Sequence, residues 1–202
     1  MSDQENKHNE HVIDLGKPDA PFDSQEAIVA DIAKTVADLG LFISTRGGKD
    51  PGMKVYRDFR KAYKEENGPY SSVYLPSTHE AANAGDEYAD SVVHDGSSPS
   101  SRDLIMIGNA KTFIAVSGDF IGSEPADVLQ AINTYGVPVI IYEPGDNTKL
   151  VEEIRRVSEK TLASPLLYVA SDLDSFKEIV KTIEKMQDNT AASKHPSLRR
   201  RR

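Results

Sequence analysis

Apolar and polar positions along this chain switch repeatedly between two periods. Short unbroken apolar runs mark strands: "HVIDLG" from His11 and "LFIST" from Leu41. Between them, Ile28, Ile32, Val36 and Leu39 recur at the spacing of one helical face, which predicts a helix over Ser24 to Leu39. Asp23 with Glu26 stands in capping-box register for its start, and Gly40 closes it. The pattern then repeats. Met53 to Glu66 predicts a helix with Tyr56, Phe59 and Tyr63 on its core side, ended by Asn67-Gly68-Pro69, and "SSVYLP" supplies the third strand. Ser77 to Ala89, polar and alanine-rich, predicts a loop with one short helix, and "SVVHDG" a short strand.

The second half reads the same way. Ser100 to Ala110 predicts a helix that opens with Ser100 and Asp103 in capping-box register, followed by the buried strand "KTFIAVS". Then come a helix over Pro125 to Tyr135, the strand "VPVIIYE", a helix over Thr148 to Lys160, the strand "PLLYVA", and a closing helix over Leu173 to Met186 with Ser171 and Asp174 in register to cap it. Strands that are apolar on both faces and separated by helices imply an α/β fold: a doubly wound, mostly parallel sheet flanked by helices, Rossmann-like. A ligand site is then expected beyond the carboxyl ends of the strands, where the strand order reverses.

Length supports one such domain. The 202 residues suffice for a single core, expected over residues 11–187, with a polar tail over 1–10 and a basic tail over 188–202. The polar ends account for much of the low apolar share of 38%. No run approaches the roughly 20 apolar residues of a membrane span, and "MSDQENKHNE" lacks a basic segment followed by an apolar one, so a cytoplasmic protein is expected. Cysteine is absent, which excludes disulfides, thiolate metal sites and cysteine nucleophiles. The net charge of −8 argues against a broad nucleic-acid surface; the tail Arg199 to Arg202 is the one exception.

Three loops at strand carboxyl ends carry candidate chemistry. In "STRGGKDPGMK", Gly47, Gly48 and Gly52 allow backbone N–H groups to approach an anion, and Arg46 and Lys49 add positive charge. In "HDGSSPSSRDL", Ser101 and Arg102 stand at a helix start, where a cation works against the helix dipole and so calls for an anionic partner, a ligand or Asp103. In "SGDFIGSEPAD", Gly118 and Gly122 suit a backbone that hugs a ligand, Ser123 can cap a helix or donate to a phosphate oxygen, and Asp119, Glu124 and Asp127 are carboxylates able to accept sugar hydroxyls or act as a general base. His79, Glu80, Asp86, Glu87, Asp90 and His94 cluster in sequence but read as solvated surface, so neither a metal nor a cofactor is expected. No G-x-S-x-G elbow is present.

This order of loops resembles the LOG-type Rossmann family and its SLOG relatives over about Val12 to Met186: a glycine-rich loop after the second strand, like "RGGKDPG"; an arginine opening the helix before the central strand, like Arg102; and a PGGxGTxxE loop after it, like "SGDFIGSEPAD". The run "SSRDLIMIGNAKTFIAV" is also similar to molybdenum-cofactor carrier proteins, which bind a pterin phosphate. The resemblance implies binding of a nucleotide or related phosphorylated heterocycle, as binder or sensor, in a homodimer. For an enzyme it implies hydrolysis of a nucleoside 5′-monophosphate N-glycosidic bond, with Arg102, Asp127 and Glu124 as catalytic groups; the remaining readings are a cofactor carrier and a protein-interaction module. Ser117 and Asp119 stand where the family has proline and its second glycine. A carboxylate about 4 Å from a phosphate repels it by about 4 kcal/mol at an effective dielectric near 20, so Arg46, Lys49 or Arg102 would have to intervene.

Overall fold

A computed structural model of the chain describes residues 10–15, 25–48, 53–76, 87–117, 124–144 and 149–194. Its centre is a sheet of seven strands: β1 (His11–Asp14), β2 (Phe42–Arg46), β3 (Tyr70–Leu75), β4 (Ser91–His94), β5 (Thr112–Val116), β6 (Val139–Tyr142) and β7 (Leu167–Ala170). They lie in the order β4-β3-β2-β1-β5-β6-β7, and every neighbouring pair is parallel. The chain winds outward from β1 to β4, returns to the centre at β5, and winds outward again to β7. The order therefore reverses between β1 and β5, and a crevice is expected outside the carboxyl ends of those two strands.

The unbroken apolar runs follow from burial on both faces. Strand side chains alternate, so Ile114, Val116, Ile140 and Tyr142 face one core, while Phe113, Ala115, Val139 and Ile141 face another. The first core is closed by α1 (Gln25–Asp38), α2 (Lys54–Glu65) and α7 (Leu173–Lys194). The second is closed by α3 (Pro99–Gly108), by α4 (Glu124–Gln130) with its π-helical continuation Ala131–Tyr135, and by α5 (Lys149–Val157). Each large apolar side chain fully buried here contributes about 1.5–3 kcal/mol, so the two central strands anchor both layers. Tyr56, Phe59 and Tyr63 lie in the first core, as their helical spacing predicts.

The differences from the sequence reading are local. The cap of helix α3 lies two residues earlier than expected, at Ser98 instead of Ser100: the Ser98 hydroxyl accepts from Ser101 N–H at 3.2 Å while the Ser101 hydroxyl accepts from Ser98 N–H at 2.8 Å. The cause is Pro99, whose fixed φ suits the first helical position and leaves the cap to the residue before it. Asp172, not Ser171, caps α7, accepting from Ser175 N–H at 2.7 Å, and that helix runs on to Lys194. The helix expected over Thr148 to Lys160 breaks at Ser158, which is extended, into α5 and α6 (Glu159–Leu162). Asp23 and most of Ser77 to Ala89 lie outside the described residues.

Candidate functional site

At the carboxyl edge of the sheet, the register Ile13↔Thr45 sets Asp14, the last residue of β1, beside Arg46, the last of β2. The Arg46 side chain crosses the sheet edge to two helix starts. Its Nη1 donates to Asp14 Oδ1 at 3.1 Å, its Nη2 donates to Asp127 Oδ2 on α4 at 2.6 Å, and its Nε lies 3.2 Å from Asp103 Oδ1 on α3. Only 5% of Arg46 is exposed. Burial by itself would lower the pKa of its guanidinium, but Asp14 first, then Tyr56, Asp103 and Asp127, outweigh it and hold the group well above its ordinary value.

Arg102, 4% exposed, continues the network. Its Nε and Nη2 each lie 2.8 Å from Asp103 Oδ1, and its Nη1 donates to the Gly47 carbonyl at 3.0 Å. Of the two partners expected for this cation, a ligand or Asp103, the structure supplies Asp103. Tyr56 completes the group from below: its hydroxyl donates to Asp14 Oδ1 at 2.7 Å and accepts from Leu15 N–H at 3.3 Å. Burial first, and then Asp14, push the Tyr56 phenol well above its ordinary pKa, so it stays protonated and donating. Arg60 braces the end of β2, donating to the Arg46 carbonyl at 3.1 Å and to Thr45 Oγ1.

Two guanidinium groups thus face three carboxylates, so the five-residue network is negative by one charge when all its members are ionised. Its upper rim is formed by Asp103 and Asp127, whose side chains keep 16% and 12% of their surface exposed. Such a rim accepts hydrogen bonds from hydroxyl and N–H groups.

Two glycines make the close approach possible. A Cβ on Gly47 would lie 2.2 Å from Val73 Cγ2, so only glycine lets the turn after β2 press against β3 and present its carbonyl to Arg102. Gly96 has φ +78°, and a Cβ there would lie 2.4 Å from the Arg102 nitrogen, so α3 starts against bare backbone. Gly48 also takes a positive φ. The Ser101 side chain is spent on the cap of α3.

Of the residues singled out by sequence, the fold brings together Arg46, Gly47, Arg102 and Asp127, with Gly48 and Ser101 adjoining. Glu124 begins α4. Lys49, Gly118, Asp119, Gly122 and Ser123 lie outside the described residues, as do Gly52, His79, Glu80 and Asp86. Asp90 is engaged elsewhere, with Lys64 and the Ser71 N–H, and among the described residues no cluster of His, Asp and Glu is placed to hold a metal. Sequence reasoning gave Asp14 no role; it offered Asp103 both as a cap and as a partner of Arg102, and it read Tyr56 first as core. For Asp14 a signal existed: an acid directly after the apolar run "HVI" must be satisfied at a strand end. Among the described residues, no helix is long and apolar enough to cross a membrane.

No family model matches the sequence, and comparison with curated proteins found no match. Solved structures do match. A molybdenum cofactor carrier protein from Chlamydomonas reinhardtii aligns with a TM-score of 0.64 and 21% identity over 87% of this chain and 97% of that one. The structure of TM1055 aligns at 0.61 and 16% over 86% and 99%. DNA processing protein A from Helicobacter pylori, whose structure concerns single-stranded DNA binding, aligns at 0.58 and 11% over 90% and 84%. The chain shares with the molybdenum cofactor carrier structures an α/β, Rossmann-like fold on an all-parallel seven-stranded sheet.

Proposed function

We propose that this chain binds a nucleotide or a related phosphorylated heterocycle at the carboxyl edge between β1 and β5, and holds it without cleaving it. The observation that carries the reading is the 2.6 Å ion pair between Asp127 and Arg46. A carboxylate accepts the hydrogen bonds of sugar hydroxyls well, and here Oδ2 is engaged as an acceptor by the Arg46 guanidinium rather than aimed at a departing base. Asp103, on the same rim, supplies further acceptor oxygen.

The phosphate end cannot fall on this network, whose cations are already matched by acids. In the proposal it falls on Gly118, Gly122 and Ser123 and on Lys49, assigned from sequence alone. Arg102 acts by fixing the turn after β2 through the Gly47 carbonyl, so its effect on the ligand is one of position.

The experiment is a thermal-shift and equilibrium-binding series with the four common nucleoside 5′-monophosphates and a pterin phosphate, followed by chromatography for free base. Saturating ligand raises the melting temperature, Asp127→Ala weakens binding about tenfold, the loss of one good polar contact, and no base is released. Base release that disappears in both Asp127→Ala and Arg102→Ala would make the chain an N-glycosidase instead. A melting temperature unmoved by every compound would remove the binding reading.

A further inference from the structure

The carboxyl ends of β5 and β6 carry two polar residues that the Arg46 network does not use. Ser117 follows β5 and Glu143 follows β6, and both remain in the ladder: Ser117 N–H donates to the Tyr142 carbonyl and Glu143 N–H to the Ala170 carbonyl, each at 2.9 Å. The register Val116↔Tyr142 therefore puts Ser117 beside Glu143. Val116 and Tyr142 face the core under α1, α2 and α7, so alternation turns Ser117 and Glu143 to the opposite face, that of α3, α4 and α5. Asp14 follows Ile13 by the same rule and points to that face too, where Arg46 meets the acids of α3 and α4. Because Asp14 is level with Ala115, Ser117 stands two residues further along β5, a step of about 7 Å at the ordinary strand rise. The polar edge thus has two levels, the Arg46 network and, above it and one strand over, this pair.

Both residues are buried, Ser117 at 4% and Glu143 at 3% exposure. One oxygen of Glu143 has structural work: Oε1 accepts from Leu150 N–H at 2.6 Å and Val151 N–H at 3.3 Å at the start of α5. The other does not. Among the described residues Glu143 Oε2 and Ser117 Oγ have no hydrogen-bond partner in this geometry; burial raises the Glu143 pKa, opposed by the Leu150 and Val151 amides and then by the neighbouring Ser117 hydroxyl. A buried acceptor left without a donor costs about 1–3 kcal/mol. Turning the hydroxyl toward the carboxylate would satisfy one lone pair of Oε2 and leave those of Oγ empty. With the hydroxyl turned that way, lone pairs stay open side by side on Oε2 and Oγ, on the face and edge where the ligand is placed, and they suit a group that brings two donors of its own.

We propose that Ser117 and Glu143 form the subsite for the heterocycle, and that it takes an amino–imino edge, the adjacent NH₂ and ring N–H of guanine or a pterin. The class follows from the acceptors. A carboxylate accepts and does not donate; the matching edge of adenine offers one donor and one acceptor, and that of hypoxanthine lacks the amino group. This assignment rests on the nucleotide-binding reading above and adds the base to it. Asp127 takes the sugar on the lower level, and Glu143 and Ser117 take the base on the upper one.

The test is calorimetric titration of the full chain with GMP, IMP and guanosine, on wild type and on Glu143→Gln and Ser117→Ala. Wild type binds GMP at least tenfold more tightly than IMP. Glu143→Gln keeps an oxygen for the α5 amides but presents an NH₂ where Oε2 stood, and it erases that preference; Ser117→Ala, which leaves the cap untouched, reduces it even if the Gln variant fails to fold. Equal binding of GMP and IMP by wild type, or a preference intact in the folded variants, overturns the subsite and leaves the nucleotide reading standing. Guanosine bound as tightly as GMP, with both tighter than IMP, keeps the subsite and removes the phosphate from the reading. Absence of binding by all three at millimolar concentration overturns the subsite, and only the absence of any shift with the wider series above overturns the nucleotide reading as well.

Discussion

Arg46 Nη2 donates to Asp127 Oδ2 at 2.6 Å, joining the end of β2 to the first turns of α4 across 81 residues of sequence. The pair is the closest contact in a set that also ties Arg46 to Asp14 and Asp103. Removing one partner of a buried ionic group costs about 3–5 kcal/mol, because the opposite charges stay buried without compensation. Arg46→Met leaves three acids with the single guanidinium of Arg102, which reaches Asp103, and is expected to lose stability in that range by urea unfolding. Arg46→Lys, a single point charge unable to reach several carboxylates at once, should fall between it and wild type. An Arg46→Met midpoint equal to wild type would contradict the network.

The start of α3 separates two neighbouring serines. Ser98 makes the reciprocal cap with Ser101, whereas Ser100 is exposed two residues further on, within the first turn. Ser98→Ala is expected to cost about 1 kcal/mol, the usual loss for a cap. Ser100→Ala should stay within about 0.5 kcal/mol of wild type. Thermal unfolding of the two variants side by side decides the register; the reverse order would restore Ser100 as the cap.

Gly96 combines a positive φ with contact against the Arg102 backbone. Alanine there meets both the left-handed penalty, about 1–2 kcal/mol, and a clash that only movement of α3 relieves. Gly96→Ala should therefore lower the melting temperature by several degrees, at about 2–4 °C per kcal/mol for a chain of this size. Gly40→Ala meets the φ penalty without a clash, since a Cβ there has open space, and should lose less.

Glu184 on α7 governs part of the acid limb. It reaches the amino edge of the sheet, with His11 Nε2 at 3.3 Å and Lys111 Nζ at 2.5 Å. The His11 contact chiefly, opposed by burial and aided by Lys111, lowers its pKa from 4.5 to about 2. The folded-state value lies below the unfolded one, so the unfolded chain binds more protons between those values and stability rises with pH across them. The contribution is complete above about pH 5 and is lost as pH falls through 4.5 toward 2. Glu184→Gln should flatten the dependence of unfolding free energy on pH in that window; an unaltered acid limb would contradict the assignment.

The alternation of apolar runs and 3.6-residue periods was enough to determine the architecture, because burial on both faces leaves a parallel strand no other pattern. It also placed Arg46, Gly47, Arg102 and Asp127 on loops at one edge of the sheet, since every strand of a parallel sheet ends on the same side. Helix starts were the least legible in sequence: Ser98, Ser100 and Ser101 all suit a cap, and Pro99 chose among them only through its ring geometry. What tertiary structure alone decided is charge. Sequence counts Arg46 and Arg102 as two cations available to an anion, whereas the fold sets Asp14, Asp103 and Asp127 within reach and makes the same residues part of an edge with an excess of acid that accepts donors. That reversal depends on strand register and helix placement to within an ångström or two, and Coulomb interactions in a buried site change at that scale while the sequence stays the same.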